Sequence, residues 1–110
     1  INPDILIIYH SCGHINELIP NLIEAGIDIL NPIQPESMEF RQIHNAYCDR
    51  LSFHGTIGTQ TTMPFGTPEE VRENVKHMIE TVAPTHMLEP EVPVENVVAY
   101  IQACAEYTSR

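Results

Sequence analysis

Three short apolar runs, each closed by turn-forming residues and each followed by a stretch of helical periodicity, constrain this chain more than anything else in it. Residues 5–9 (ILIIY) are continuously apolar, as a strand covered on both faces of a parallel sheet would be. In residues 14–25, Ile15, Leu18, Ile19, Leu22 and Ile23 recur at helical spacing, and Gly26 closes the pattern. Pro20 lies inside that stretch and predicts a kink or a late helix start. A second strand is expected over 27–30, stopped by Asn31-Pro32, then a helix over 38–47, then a third strand over 51–54, stopped by Gly55. Residues 56–66 read as a loop rich in Gly, Thr and Pro.

The next helix carries the clearest start signal. Thr67 suits the N-cap, Pro68 the first helical position, and Glu70 completes a capping box. Val71, Val75, Met78, Ile79 and Val82 mark its buried stripe. A last helix is expected from about Pro93, with Val94, Val97, Val98, Ile101 and Ala105 on one face. Alternation of strand and helix implies parallel strands joined by crossover helices, hence an α/β fold. Three strands cannot close a barrel, which takes about 250 residues. The helix ending near Val82 also runs straight into Ala83-Pro84-Thr85-His86, which resembles a loop that follows a strand, so one strand is missing there.

Composition narrows the partners. Five basic against fifteen acidic residues give a formal net charge of −10, which repels nucleic acid and anionic membranes. No apolar run approaches the ~20 residues of a membrane span. Residues 1–9 lack the basic leader and cleavage site of a signal peptide. Cys12, Cys48 and Cys104 are too few, and odd in number, for a disulfide framework, which points to a reducing, cytoplasmic setting. Cys48 and Cys104 read as packing residues on helices, and His44 and His77 as solvated ones.

The chemistry-bearing residues gather at predicted strand ends. His10 and Cys12 are two positions apart on an extended segment, so their side chains share a face and can reach one ion. On the residues alone such a pair is more often a packing feature than a metal site, because cysteine commonly serves as a small hydrophobe. His54 ends the third strand and is a candidate substrate contact. Gln60 follows on the loop, and Asn31 and Gln34 end the second strand. His14 reads as a capping residue.

Four segments, His10-Ser11-Cys12-Gly13, AGIDILNPIQPE (25–36), PFGTPEEVRENV (64–75) and APTHMLEPEVPVEN (83–96), occur in the order seen in the uroporphyrinogen decarboxylase superfamily. The sequence resembles the C-terminal part of that family's (β/α)8 TIM barrel over nearly all of residues 1–110, without the N-terminal strands. It is more similar to the zinc-dependent corrinoid methyltransferase branch than to the decarboxylases. That branch moves a methyl group between a corrinoid protein and a small thiol, and its H-x-C pair supplies two zinc ligands. The resemblance therefore implies His10 and Cys12 as ligands, with His86 where the branch has a distant cysteine. Exchanging thiolate for neutral imidazole leaves such a site one unit more positive. His54 and Gln60 would contact substrate. Gly58 stands where the family's G-x-I-D-T-Q loop has an aspartate, a departure that argues against a polar role for that loop. Two other functions stay open: metal-free decarboxylation of a porphyrinogen, whose catalytic aspartate lies N-terminal to these residues, and a non-catalytic fragment that pairs with an N-terminal partner. A homodimer of the full-length protein is among the assemblies the resemblance allows.

Overall fold

The computed structural model describes residues 4–82 and 91–108. Strands β1 (Ile8–His10), β2 (Ile29–Asn31) and β3 (Ser52–Phe53) form one parallel sheet in the order β1-β2-β3. Between β1 and β2 lie a 3-10 turn (Asn16–Leu18) and helix α1 (Ile19–Glu24). Helix α2 (Phe40–Tyr47) connects β2 to β3, and α3 (Thr62–Phe65), α4 (Pro68–Val82) and α5 (Val94–Thr108) follow. The mixed α/β architecture and parallel pairing agree with the alternation read from the sequence. Among the described residues no helix is long and apolar enough to cross a membrane.

The local signals act as expected at two helix ends. Pro20 occupies the first turn of α1, where its missing N–H costs nothing, so the helix starts late after the 3-10 turn. At the other end Gly26 takes φ +90, a backbone conformation glycine adopts without a Cβ penalty. Its N–H donates to Ile23 O, and Ile27 N–H donates to Leu22 O, closing the helix with paired bonds of the Schellman type.

The capping box forms at the start of α4. Thr67 N–H donates to Glu70 Oε2 at 2.7 Å, and Glu70 N–H donates back to Thr67 Oγ1 at 3.3 Å. The Thr67 backbone N–H, and secondly its hydroxyl, hold the Glu70 carboxyl below its ordinary range. A carboxyl lowered by folding stabilises at pH above its unfolded value, and that contribution disappears as pH falls through the lowered one. Thr67→Ala is expected to cost about 1 kcal/mol, read from the denaturant midpoint of the full-length protein. The gap from wild type is expected to narrow under acid, because the protonated carboxyl accepts the Thr67 donors poorly. An unchanged midpoint at neutral pH would contradict the cap.

Two apolar clusters hold the elements together. Ile15, Ile19, Leu30, Ile33, Met38, Phe40, Ile43 and Leu51 pack α1 and α2 against the sheet. Ile57, Met63, Val71, Val75, Ala99 and Ala103 join α3, α4 and α5, and Met78 packs against both groups. Val71 and Val75 are fully buried as the α4 stripe requires.

Several sequence expectations are corrected. The 5–9 run is not covered on both faces: Ile5, Leu6, Ile7 and Ile8 are 47–68% exposed, because β1 pairs with β2 on one side and no described strand lies on the other. Helix α5 turns a different face inward. Asn96, Ala99 and Ala103 are buried, while Val94, Val98 and Ile101 stand 44–75% exposed. Two small alanines allow α5 to approach α4 closely, and Asn96 Nδ2 donates to Met63 O (2.9 Å) and Gly66 O (2.8 Å), carbonyls that the short α3 leaves without helical partners. Residues 56–66 are not all loop, since α3 forms within them around buried Met63. Cys48 is exposed at the C-cap of α2, not packed, whereas Cys104 is half-buried. His44 is half-buried, its ring 5.8 Å from both Phe40 and Phe53. The junction after Val82, where the sequence lacks an expected strand, falls outside the described residues.

Candidate functional site

Parallel register brings three sequence-distant side chains into one row. His10 pairs with Asn31 across β1 and β2, Leu30 pairs with Phe53 across β2 and β3, and His54 therefore stands on the rung beside Asn31. Backbone bonds continue the ladder past the strand ends: Ser11 N–H donates to Asn31 O at 2.8 Å, and His54 N–H donates to Leu30 O at 3.0 Å. This row lies at the C-terminal edge of the sheet, where α/β proteins bind their ligands.

Side-chain bonds run along the row. His10 Nδ1 is 2.6 Å from Asn31 Oδ1. The Asn31 amide nitrogen lies 2.6 Å from His54 Nδ1 and 3.1 Å from His54 O. Asn31 is only 3% exposed, and its amide is held by the strands on both sides. Gly55 leaves it room. That residue has φ +76, and a Cβ there would come within 3.0 Å of Asn31 Nδ2 and Pro32 Cβ.

On its other side, His10 Nε2 lies 3.3 Å from Cys12 Sγ. Two ligand atoms of a tetrahedral zinc at bond lengths of about 2.0 and 2.3 Å stand about 3.5 Å apart, so the pair already has close to the needed spacing. Both residues are exposed, which leaves them accessible to an ion. The donor set therefore fits zinc as far as it is described. Among the described residues no group of three His, Cys, Asp or Glu side chains converges as a full ligand set. His86, the expected third ligand, lies outside them.

A second polar network adjoins Cys12. Gln34 is 5% exposed; its Nε2 donates to Thr59 Oγ1 at 2.6 Å, and its Oε1 accepts from Gln60 Nε2 at 3.2 Å. Cys12, Gln34, Thr59, Gln60, Pro64, Phe65, Glu91 and Val92 line a cleft of about 610 Å³. That volume suits a small molecule, and the mixture of amides with apolar walls suits one having a polar head and an apolar part. His54 is joined to the site through Asn31 and is not among the residues lining this cleft. His14 instead ties its Nδ1 to Ser37 O at 2.9 Å, a bond between loops.

The 58–61 loop keeps a polar role despite the glycine, contrary to the sequence expectation. Glu36 fills the space beside Gly58: its Oε1 accepts from Thr61 Oγ1 at 2.6 Å and from Gln60 N–H at 3.3 Å, and a Cβ on residue 58 would collide with it. The loop carboxylate thus comes from the β2–α2 connection. No role for Glu36 or Thr59 is read from the sequence: Thr59 lies in the loop itself, whereas only the fold brings Glu36 to it from the β2–α2 connection.

Comparison with known proteins adds three findings. The profile of the uroporphyrinogen decarboxylase (URO-D) family matches residues 1–107. A methylated-thiol–coenzyme M methyltransferase of Methanosarcina mazei is 30% identical over 108 residues, covering 90% of this chain, and the chain spans 27% of that relative's length. A solved methyltransferase structure from Methanosarcina mazei superposes with a TM-score of 0.78 at 19% identity, covering 96% of this chain and 32% of the other.

Proposed function

The chain belongs to the uroporphyrinogen decarboxylase family, and from that membership we propose that it forms part of a zinc-dependent methyltransferase acting between a corrinoid protein and a small thiol. The observation that carries the proposal is the approach of His10 Nε2 to Cys12 Sγ, 3.3 Å apart at the C-terminal edge of the parallel sheet. The methyltransferase relative supports the reaction class. Likeness to about a third of a larger methyltransferase chain supports reading β1, β2 and β3 as consecutive strands of a (β/α)8 barrel, with the site at its C-terminal mouth.

In this reading His10 and Cys12 are two metal ligands and His86 is the third, leaving one position open. When bound, zinc acts as a Lewis acid on the substrate thiol and favours its deprotonated, nucleophilic form near neutral pH. The chain's own residues supply the rest. The amides of Gln34 and Gln60 and the Thr59 hydroxyl orient the polar end of the thiol, while Pro64, Phe65 and Val92 offer its apolar part a surface. His54 adjoins the site through its bond to Asn31. In this reading the corrinoid is carried by a partner protein.

The test is metal analysis of the full-length protein together with activity. About one zinc per chain at this site, with thiol methylation that stops on chelation and returns with zinc, is the expected outcome. Metal-free protein that decarboxylates a porphyrinogen would replace this reading with the family's other chemistry.

A further inference from the structure

We propose that Asn31 is a positioning residue that fixes opposite tautomers on the two histidines beside it, presenting a bare Nε2 on His10 and an N–H at Nε2 on His54. The argument starts from an acceptor that cannot donate. The His54 backbone carbonyl lies 3.1 Å from one terminal atom of the Asn31 amide, so that atom is the NH2 group. The other terminal atom is then the oxygen, which only accepts. It faces His10 Nδ1 at 2.6 Å, so His10 Nδ1 carries the proton and the lone pair sits on Nε2, the atom turned toward Cys12 Sγ. The same NH2 group approaches His54 Nδ1 at 2.6 Å, which makes that nitrogen the acceptor and puts the His54 proton on Nε2.

One buried amide therefore sets the chemistry of both rings in opposite senses. His10 is held as a ready nitrogen ligand, since a histidine binds a metal through the nitrogen that bears no proton and is oriented by the bond its other nitrogen donates. His54 is held as a hydrogen-bond donor. Burial of Asn31 and the register of three strands prevent the amide from turning over, because the flipped arrangement would set its oxygen against the His54 carbonyl.

The part of this inference that concerns zinc rests on the proposed function, whereas the tautomers do not, and the experiment separates them. Ring nitrogen-15 spectra of the metal-free full-length protein should show His10 protonated at Nδ1 and His54 protonated at Nε2. Chelator competition should show zinc affinity falling about 10–100-fold in Asn31→Leu. Asn31→Asp retains an oxygen facing His10 Nδ1, so its zinc affinity should fall no more than a few-fold. Its second oxygen replaces the donor to His54, however, so the His54 proton should move to Nδ1. A bare Nδ1 on His10 in wild type overturns the inference, as does an Asn31→Leu protein with unchanged affinity. If Asn31→Leu does not fold, the wild-type tautomers and the affinity of Asn31→Asp decide. A wild-type protein that binds no zinc refutes the metal reading alone, and the ring spectra still judge Asn31.

Discussion

Cys12→Ala is expected to strip the full-length protein of zinc and of methyl transfer while leaving its fold intact. His10→Ala should behave alike. Apparent zinc-binding free energies of about 10–16 kcal/mol, shared among three protein ligands, give on the order of 3–5 kcal/mol per ligand, or roughly two to four orders of magnitude in affinity. Neither side chain contributes to an apolar cluster, and both are exposed, so no cavity opens on truncation. That separation of metal loss from unfolding makes the experiment decisive. Cys48→Ala serves as the control, because Cys48 is exposed at the C-cap of α2, away from the strand ends that carry the site. Zinc content measured after gel filtration, with circular dichroism on the same samples, reads both effects. A Cys12→Ala protein that keeps one zinc at wild-type affinity would refute the site.

Residues 1–110 expressed alone are expected to give no reversible, sharp thermal transition and to bind hydrophobic dyes strongly. The reason lies in two apolar surfaces that nothing described covers. Ile5, Leu6, Ile7 and Ile8 lead into the edge strand β1 and stand largely exposed, and Val94, Val98 and Ile101 run along the outer face of α5. Full burial of such a side chain contributes about 1.5–3 kcal/mol, while the whole net stability of a domain is about 5–15 kcal/mol. Seven of them left largely in water are enough to cancel it. The open edge of β1 also offers unpaired backbone groups to a second molecule, which makes aggregation the expected failure. Adding the N-terminal part of a family barrel in trans should restore a cooperative transition if these surfaces are where such a part packs. A monomer of residues 1–110 that melts sharply and reversibly would show that the core around Leu30 and Val75 suffices by itself.

The order of elements was legible because it depends on local physics. The Pro20 start and Gly26 stop of α1 and the Thr67–Glu70 box each act within a few residues and stand where the pattern put them. The strands come in the expected order but begin later than the apolar runs 5–9 and 27–30. Spacing also made His10 and Cys12 neighbours, since alternate residues of an extended segment share a face. Which apolar face α5 buries was not legible. Val94, Val98 and Ile101 form the more hydrophobic stripe, yet the contact with α4 selects small Ala99 and Ala103 and the hydrogen bonds of Asn96. Helical periodicity states that a face is apolar; it does not state which surface will cover it.

The site divides in the same way. By itself the sequence determined that His10 and Cys12 share a face at the end of a strand, because that follows from the periodicity of one short extended segment. Only the tertiary structure decided that Asn31 stands between His10 and His54, and that Glu36 supplies the carboxylate beside Gly58. Those contacts join residues more than twenty positions apart, and they exist because parallel register aligns the ends of three strands, a long-range pairing that no local pattern encodes.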